Sequence, residues 1–228
     1  VDSVTMAINR GNRTAHWIVH PLVSVTRDAQ GKIQTLTSAA QAGAEGRTDP
    51  VESVIMVECD RIVRAQDQQA LCDEIQRVLR DVRAAVQDWQ PMLARAQAVA
   101  AAAAQSSLLS DTGRHEGVEF LRWLEDRHFT FLGARDYDIK RDAQGVSLVA
   151  KPDSGLGSLR GPIQTTETKL PPQAVALLES NELVLITKAM TRATVHRPAW
   201  LDYIAVKRFD EQGQLLGESR FLGLYTST

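Results

Sequence analysis

TVHRPAWLDYIAVKRFDEQGQLLGESRFLGLY, Thr194 to Tyr225, reads as two strand-like runs on either side of a four-residue turn. The pleat of the first run sends Ile204, Val206 and Arg208 one way and Tyr203, Ala205, Lys207 and Phe209 the other. Between the runs, Asp210 favours turn entry and Gly213 supplies the positive φ of a bulged hairpin loop. The same chemistry recurs as RDAQG at Arg27–Gly31 and again at Arg141–Gly145. Three antiparallel hairpins follow, and the repeated phrase is turn chemistry, not a ligand motif.

Working outward, FTFLGARDYDIKR (129–141), GVSLVAKP (145–152) and LVLITKAM (183–190) read as further strands, with a short helix at Gln173–Glu179. Near the start, Asp2 and Ser3 are N-cap types, and Gly11 is placed to end a short helix in a left-handed conformation. TAHWIVHPLVSVTRDAQGKIQTL (14–36) switches to strand chemistry. Ala39–Asp49 reads as a small-residue loop, and ESVIMVECD (52–60) as one largely buried strand.

From Asp67 the period changes. Leu71, Ile75, Val78, Leu79, Val82, Val86, Trp89 and Leu93 recur at helical steps, with a kink or restart expected near Asp88–Pro91. Ala94–Ala104 forms helix readily but specifies little packing, so it reads as a connector. SDTGRHE (110–116) looks like a fresh N-cap before a helix carrying Phe120, Leu121 and Leu124 on one face. The whole is α+β, with antiparallel sheets and helices on one face of each; a ferredoxin-like arrangement suits the first half.

The 228 residues, 43% hydrophobic and 24% charged with a net charge of −2, have the composition of a globular protein. No net basic field draws the chain to nucleic acid, and the strands lack the spaced aromatics of an RNA-stacking sheet. No apolar run is long enough to span a membrane. The two cysteines, Cys59 and Cys72, form no CxxC pair; they suit a reducing cytoplasm and small core positions. The first residues resemble neither a start nor a signal peptide, so the chain is expected to be part of a longer one.

Candidate sites are few. SGLGSLRG (154–161) is glycine-rich, but a dinucleotide fingerprint needs a helix N-terminus to receive the pyrophosphate, and PIQTTETKLPP follows instead. His16, His20, His115, His128 and His196 lack the spacing of a zinc site. No nucleophile elbow occurs. The basic residues Lys188, Arg192, His196 and Arg197 flank the connection between two strands. If the strands pair, these four and Arg160 form one basic corner able to bind a carboxylate, bidentately at arginine. The competing expectation is ion pairing with Asp202 or Glu182. Lys207 and Arg208 point to opposite faces and read as solvated strand-end charges.

VDSVTMAINRGNRTAHWIVHP, ESVIMVECD, VRAAVQDWQPM, FLRWLEDRHFTFLGARDYD, SGLGSLRG, KAMTRATVHRPAWLDYIAVKRFDEQG and GESRFLGLYTST, taken in order, resemble the N-terminal region of the large bacterial NAD-specific glutamate dehydrogenases. The resemblance implies ACT-like, ferredoxin-like modules joined by long helices. One would occupy residues 1–100 without its first strand, a helical connector 101–128, and a second module 129–228. It implies a non-catalytic regulatory or assembly role, with NAD bound by a catalytic domain elsewhere in the parent and no cofactor in this chain. Its partners would be an amino-acid effector at Lys188, Arg192, His196, Arg197 and Arg160, the rest of the polypeptide, and further copies in a cytoplasmic homo-oligomer. Ala134 stands where the resemblance leads one to expect an aromatic residue. A standalone enzyme or binding module using Lys188–Arg208 on an anionic ligand is the alternative.

Overall fold

The structure, a computed structural model, describes residues 1–106, 108–161 and 166–226. It is α+β with antiparallel sheets, and it divides into two compact units, Val1–Val78 and Leu79–Thr228. The boundary falls inside one helix. The second unit therefore takes in helical residues that the sequence assigned to the first module and to a connector.

The first unit contains α1 (Asp2–Arg10), β1 (Ala15–Val19), β2 (Leu22–Arg27), β3 (Ile33–Ser38), α2 (Ala39–Ala44), β4 (Val51–Ser53), β5 (Met56–Cys59) and the beginning of α3 (Ala65–Gln87). Strands pair in the order β3-β2-β4, with β1 on β5 beside them. Val19 opposite Met56 and Leu22 opposite Ser53 keep one register, so the two sheets share a ladder interrupted at Pro21. Proline has no amide to donate there, and the ribbon is bridged by Val54 N–H donating to the Pro21 carbonyl at 3.1 Å.

Three local expectations change in this unit. The left-handed residue after α1 is Asn12, at φ 58°, while Gly11 has φ −80°; asparagine tolerates that region better than most side chains. The small-residue loop contains α2, whose N-cap Ser38 accepts a hydrogen bond from Gln41 N–H at 3.2 Å. ESVIMVECD is two short strands, not one buried strand, and Val54 and Met56 are about half exposed. Cys72 is also exposed, so it fills no core.

The second unit is built on one sheet. Its strands are β6 (Phe129–Asp142), β7 (Gly145–Ala150), β8 (Leu156–Gly157), β9 (Glu167–Lys169), β10 (Val184–Arg192), β11 (Trp200–Phe209) and β12 (Leu215–Tyr225). The order is β10-β11-β12-β6-β7-β9, with β8 added to β6, and every pair is antiparallel. The helices are α4 (Trp89–Ala103), α5 (Asp111–Trp123) and α6 (Pro172–Glu179).

The helix break expected near Pro91 is present: α3 stops at Gln87 and α4 restarts after Asp88. Pro91 sits in the first turn of α4, where a missing amide costs nothing. The apolar stripe of α3 is only partly covered. Val78 is fully buried, but Val86 and Trp89 are exposed because the restart moves the inward face to Met92, Ala96, Val99, Ala100 and Ala103. The alanine-rich segment is therefore a core helix and not a connector. Its small side chains join Leu121, Leu124, Phe129, Phe131, Ile204, Val206 and Phe221 in the main core. Ser110 caps α5 by accepting from Gly113 N–H at 3.1 Å. Ala134 is fully buried opposite Phe221 in the ladder.

All three repeated turns make hairpins. Asp28 Oδ1 accepts from Gln30 and Lys32 N–H, Asp142 Oδ1 from Gln144 N–H, and Asp210 Oδ1 from Gln212 and Gln214 N–H, all within 3.0 Å. Gly31, Gly145 and Gly213 carry the positive φ. On β11 the alternation holds through Lys207. A register shift at Arg208/Phe209 then turns Phe209 back into the main core with Ile204 and Val206.

Candidate functional site

The pleat of β11 places Tyr203, Ala205 and Lys207 on the face opposite the α4–α5 core. On that face the side chains of β12 that alternate with buried Ser219 and Phe221 are Glu218 and Arg220. The helix α6 lies over them. Between helix and sheet is a cavity of about 160 Å³, walled by Leu148, Leu177, Leu178 and Leu185 and floored by Tyr203, Lys207, Glu218 and Arg220. Apolar walls with a few placed polar groups are the usual form of a small-molecule site.

The floor is charged. Arg220 Nε donates to Glu218 Oε1 at 2.5 Å, and the Tyr203 hydroxyl donates to the same oxygen at 3.3 Å. The Arg220 guanidinium also lies 3.9 Å above the Tyr137 ring, a cation–π stack that holds its plane. Burial works against the Arg220 cation, but Tyr203 and Glu218 outweigh it and keep the pKa above the ordinary arginine value. Burial raises the Tyr203 hydroxyl well above the ordinary tyrosine range, with the Glu218 charge adding to it, so it remains a donor.

Lys207 differs from its neighbours. It is 7% exposed, not solvated, and its Nζ donates to the Ser180 carbonyl at 2.5 Å and to Ser180 Oγ at 3.4 Å. Among the described residues no carboxylate forms an ion pair with it. Burial pushes its pKa down to about 8, with Glu182 opposing the shift. Arg208, on the other face, pairs with Asp138. The expected divergence of Lys207 and Arg208 holds, but neither is a solvated strand-end charge: Lys207 is buried and Arg208 half-buried.

The basic residues predicted from sequence each have a separate engagement. Lys188 is paired with Asp202 across the β10–β11 ladder at 2.5 Å. The Arg192 guanidinium lies 4.9 Å from the Trp200 ring centroid. Arg197 donates to the Tyr225 carbonyl at 2.5 Å, and His196 occupies a turn at φ 73°. Arg160 pairs with Asp88 at the α3–α4 break. The strand pairing does bring Lys188 and Arg192 onto one ribbon, while Arg160 is held by the loop SGLGSLRG.

That loop also answers the nucleotide question within the described residues. It forms the short strand β8 and a turn, not a helix N-terminus, and residues 162–165 of the following stretch lie outside the described residues. Gly157, at φ 57°, is a close approach to β6, where a Cβ would collide with the Leu132 carbonyl. Its N–H donates to buried Asp88 at 2.7 Å. Burial raises the Asp88 carboxyl, but Arg160 and the Gly157 amide overcome this and hold it below the ordinary range. The glycines serve strand packing and an internal carboxylate, and do not fit a pyrophosphate cradle.

Among the described residues no group of three or more His, Cys, Asp or Glu could hold a metal. His16 contacts Asp60 at 2.7 Å and His20 contacts Ser53 at 2.5 Å, both as exposed polar pairs. No helix among the described residues is long and apolar enough to cross a membrane.

With the two units in view, comparison with known proteins becomes informative. Residues 1–75, which include all of β1–β5, match the family described as glutamate dehydrogenase, ACT1 domain. An ACT domain is ferredoxin-like, in keeping with the antiparallel sheet and helices found here. Beyond the ACT1 domain the likeness continues to the last residue. The chain is 33% identical to the NAD-specific glutamate dehydrogenase of Halomonas elongata over 235 residues, and 33% identical to that of Pseudomonas aeruginosa over 232. Each match covers all of this chain and 14% of the relative. The chain thus corresponds to a fragment of these large glutamate dehydrogenases.

The cavity under α6 was not legible beforehand. Lys207 looks like a strand-end charge in a linear reading, and only the sheet order brings β7, β10, β11 and β12 beneath one short helix. A signal did exist: Tyr203, Lys207, Glu218 and Arg220 alternate in phase on two strands joined by an evident hairpin.

Proposed function

We propose that the chain is a non-catalytic regulatory and assembly segment of a large NAD-dependent glutamate dehydrogenase. The parent would oxidise L-glutamate with NAD and water to 2-oxoglutarate, ammonium and NADH, in the cytoplasm, as a homo-oligomer. The observation that carries this reading is the end-to-end match to a 14% portion of enzymes named for that activity. The ACT1 match adds support, since modules of this kind suit an amino-acid effector. The partners in this reading are that effector and the catalytic remainder of the polypeptide, which would hold the NAD.

The test is made on the full-length enzyme and on this chain alone. Purified chain with glutamate and NAD should produce no NADH, and cofactor-dependent turnover from it would overturn the reading. Removal of residues 1–228 from the full-length enzyme should abolish or shift its response to a panel of amino acids, or its assembly state. Arg192→Ala and Arg197→Ala in the same enzyme test the basic residues directly. Unchanged activity, response and assembly in both would leave Lys188, Arg192, His196, Arg197 and Arg160 with structural duties alone.

A further inference from the structure

The cavity under α6 holds one buried cation without an ion pair, which indicates what it takes. Of the ionised side chains lining it, Arg220 and Glu218 are paired, Glu182 is exposed to solvent, and buried Lys207 has no ion pair among the described residues. An ammonium withdrawn from water is stable only when paired or well hydrogen-bonded. Lys207 receives only Ser180, through a neutral carbonyl and a hydroxyl. Apart from Ser180 and Glu182 the remaining wall is aliphatic, with Leu148, Leu177, Leu178 and Leu185 among its residues. We propose that this cavity binds a short branched aliphatic monocarboxylate, its carboxylate on Lys207 Nζ and its tail among the leucines beneath α6.

Size and charge select within that class. A cavity of about 150 Å³ accommodates a benzene-sized molecule, so this one suits a ligand of about six to eight heavy atoms. A monoanion compensates Lys207 fully. A zwitterionic amino acid brings an ammonium beside Lys207 and Arg220, with only solvent-exposed Glu182 and the already paired Glu218 to receive it, and a neutral alcohol leaves Lys207 uncompensated. The expected preference is therefore carboxylate over the matching amino acid and alcohol. This site lies in the second unit, outside the ACT1 match, and its existence is independent of the role proposed for the basic residues around Arg192.

Calorimetric titration of the 228-residue chain at neutral pH with 4-methylpentanoate, leucine and 4-methylpentan-1-ol tests the inference. Saturable binding of 4-methylpentanoate is expected, at least about tenfold tighter than leucine or the alcohol, in line with a charge-assisted contact. Lys207→Met should weaken the carboxylate by at least about tenfold and leave the alcohol no weaker. Ala174→Phe, which fills the cavity from α6 without touching the charges, should abolish binding of all three. Absence of carboxylate binding at millimolar concentration overturns the proposal. So does equal affinity in folded Lys207→Met, a preference for leucine, or unimpaired binding in folded Ala174→Phe. None of these outcomes bears on whether the full enzyme responds to amino acids through its ACT1 domain.

Discussion

At residue scale, two buried charges set pH dependences of the same sign in separate windows. Lys207 in the fold has its pKa depressed to about 8, against 10.5 for a free lysine. Between those values the unfolded chain binds more protons than the folded one, so stability rises with pH from about 8 to 10, by about 1–3 kcal/mol. Denaturant titrations across that window should show the rise in wild type and a flat profile in Lys207→Met. Asp88 acts in the same direction at acid pH. Its carboxyl is held below the ordinary range, so its contribution is present above the unfolded carboxyl pKa and is lost as pH falls through the folded one. Asp88→Ala should cost about 1–3 kcal/mol at neutral pH, because the Gly157 amide loses its acceptor and Arg160 its counter-charge. Urea denaturation at neutral pH measures this. A variant as stable as wild type would show that the α3–α4 break holds without its tie to the loop.

At the scale of elements, what could be read in advance depended on local chemistry. The hairpins announced themselves because aspartate and glycine do the same work in each, and the end of α3 because proline cannot continue a helix. The role of α4 was hidden. Alanine gives a helix but no visible apolar period against a background of alanine, and only the neighbouring sheet shows that Ala96, Ala100 and Ala103 are the inward face. That face has no room for larger side chains. Ala100→Leu should destabilise by about 1–3 kcal/mol through overpacking, whereas Ala98→Leu, on an exposed turn of the same helix, should stay within about 0.5 kcal/mol of wild type. Thermal melts of the pair distinguish a core helix from a connector, for which both changes would be equally mild. On α3, Val78→Asp should cost several times more than Val86→Asp, since the first is fully buried and the second exposed.

For the molecule as a whole, the candidate site was legible only in pieces. The basic residues Lys188, Arg192, His196, Arg197 and Arg160 were visible as a cluster in sequence, yet the fold gives Lys188, Arg192, Arg197 and Arg160 separate partners. Lys207 was visible as a strand-end charge, yet sheet order gathers it with Glu218 and Arg220 in one cavity. Order within a sheet is a non-local property. No periodicity within β12 tells that it will lie between β11 and β6, with Phe221 facing Ala134. The same distance in sequence kept Asp88 apart from Arg160 in a linear reading.

The central place of β12 also has a consequence in time. It is the last of the seven strands to leave the ribosome, and it joins the ribbon β10–β11 to the ribbon β6–β7–β9. Until it emerges, β6 has no partner on one edge while about 70 further residues are added, on the order of four to fifteen seconds of synthesis. The Phe129, Phe131 and Ala134 face then waits without Phe221, and the cavity lacks the Glu218 and Arg220 part of its floor. Birth of this unit is consequently a single late event, in which an open edge is exposed to solvent and to chaperones until the final strand slots between two finished halves.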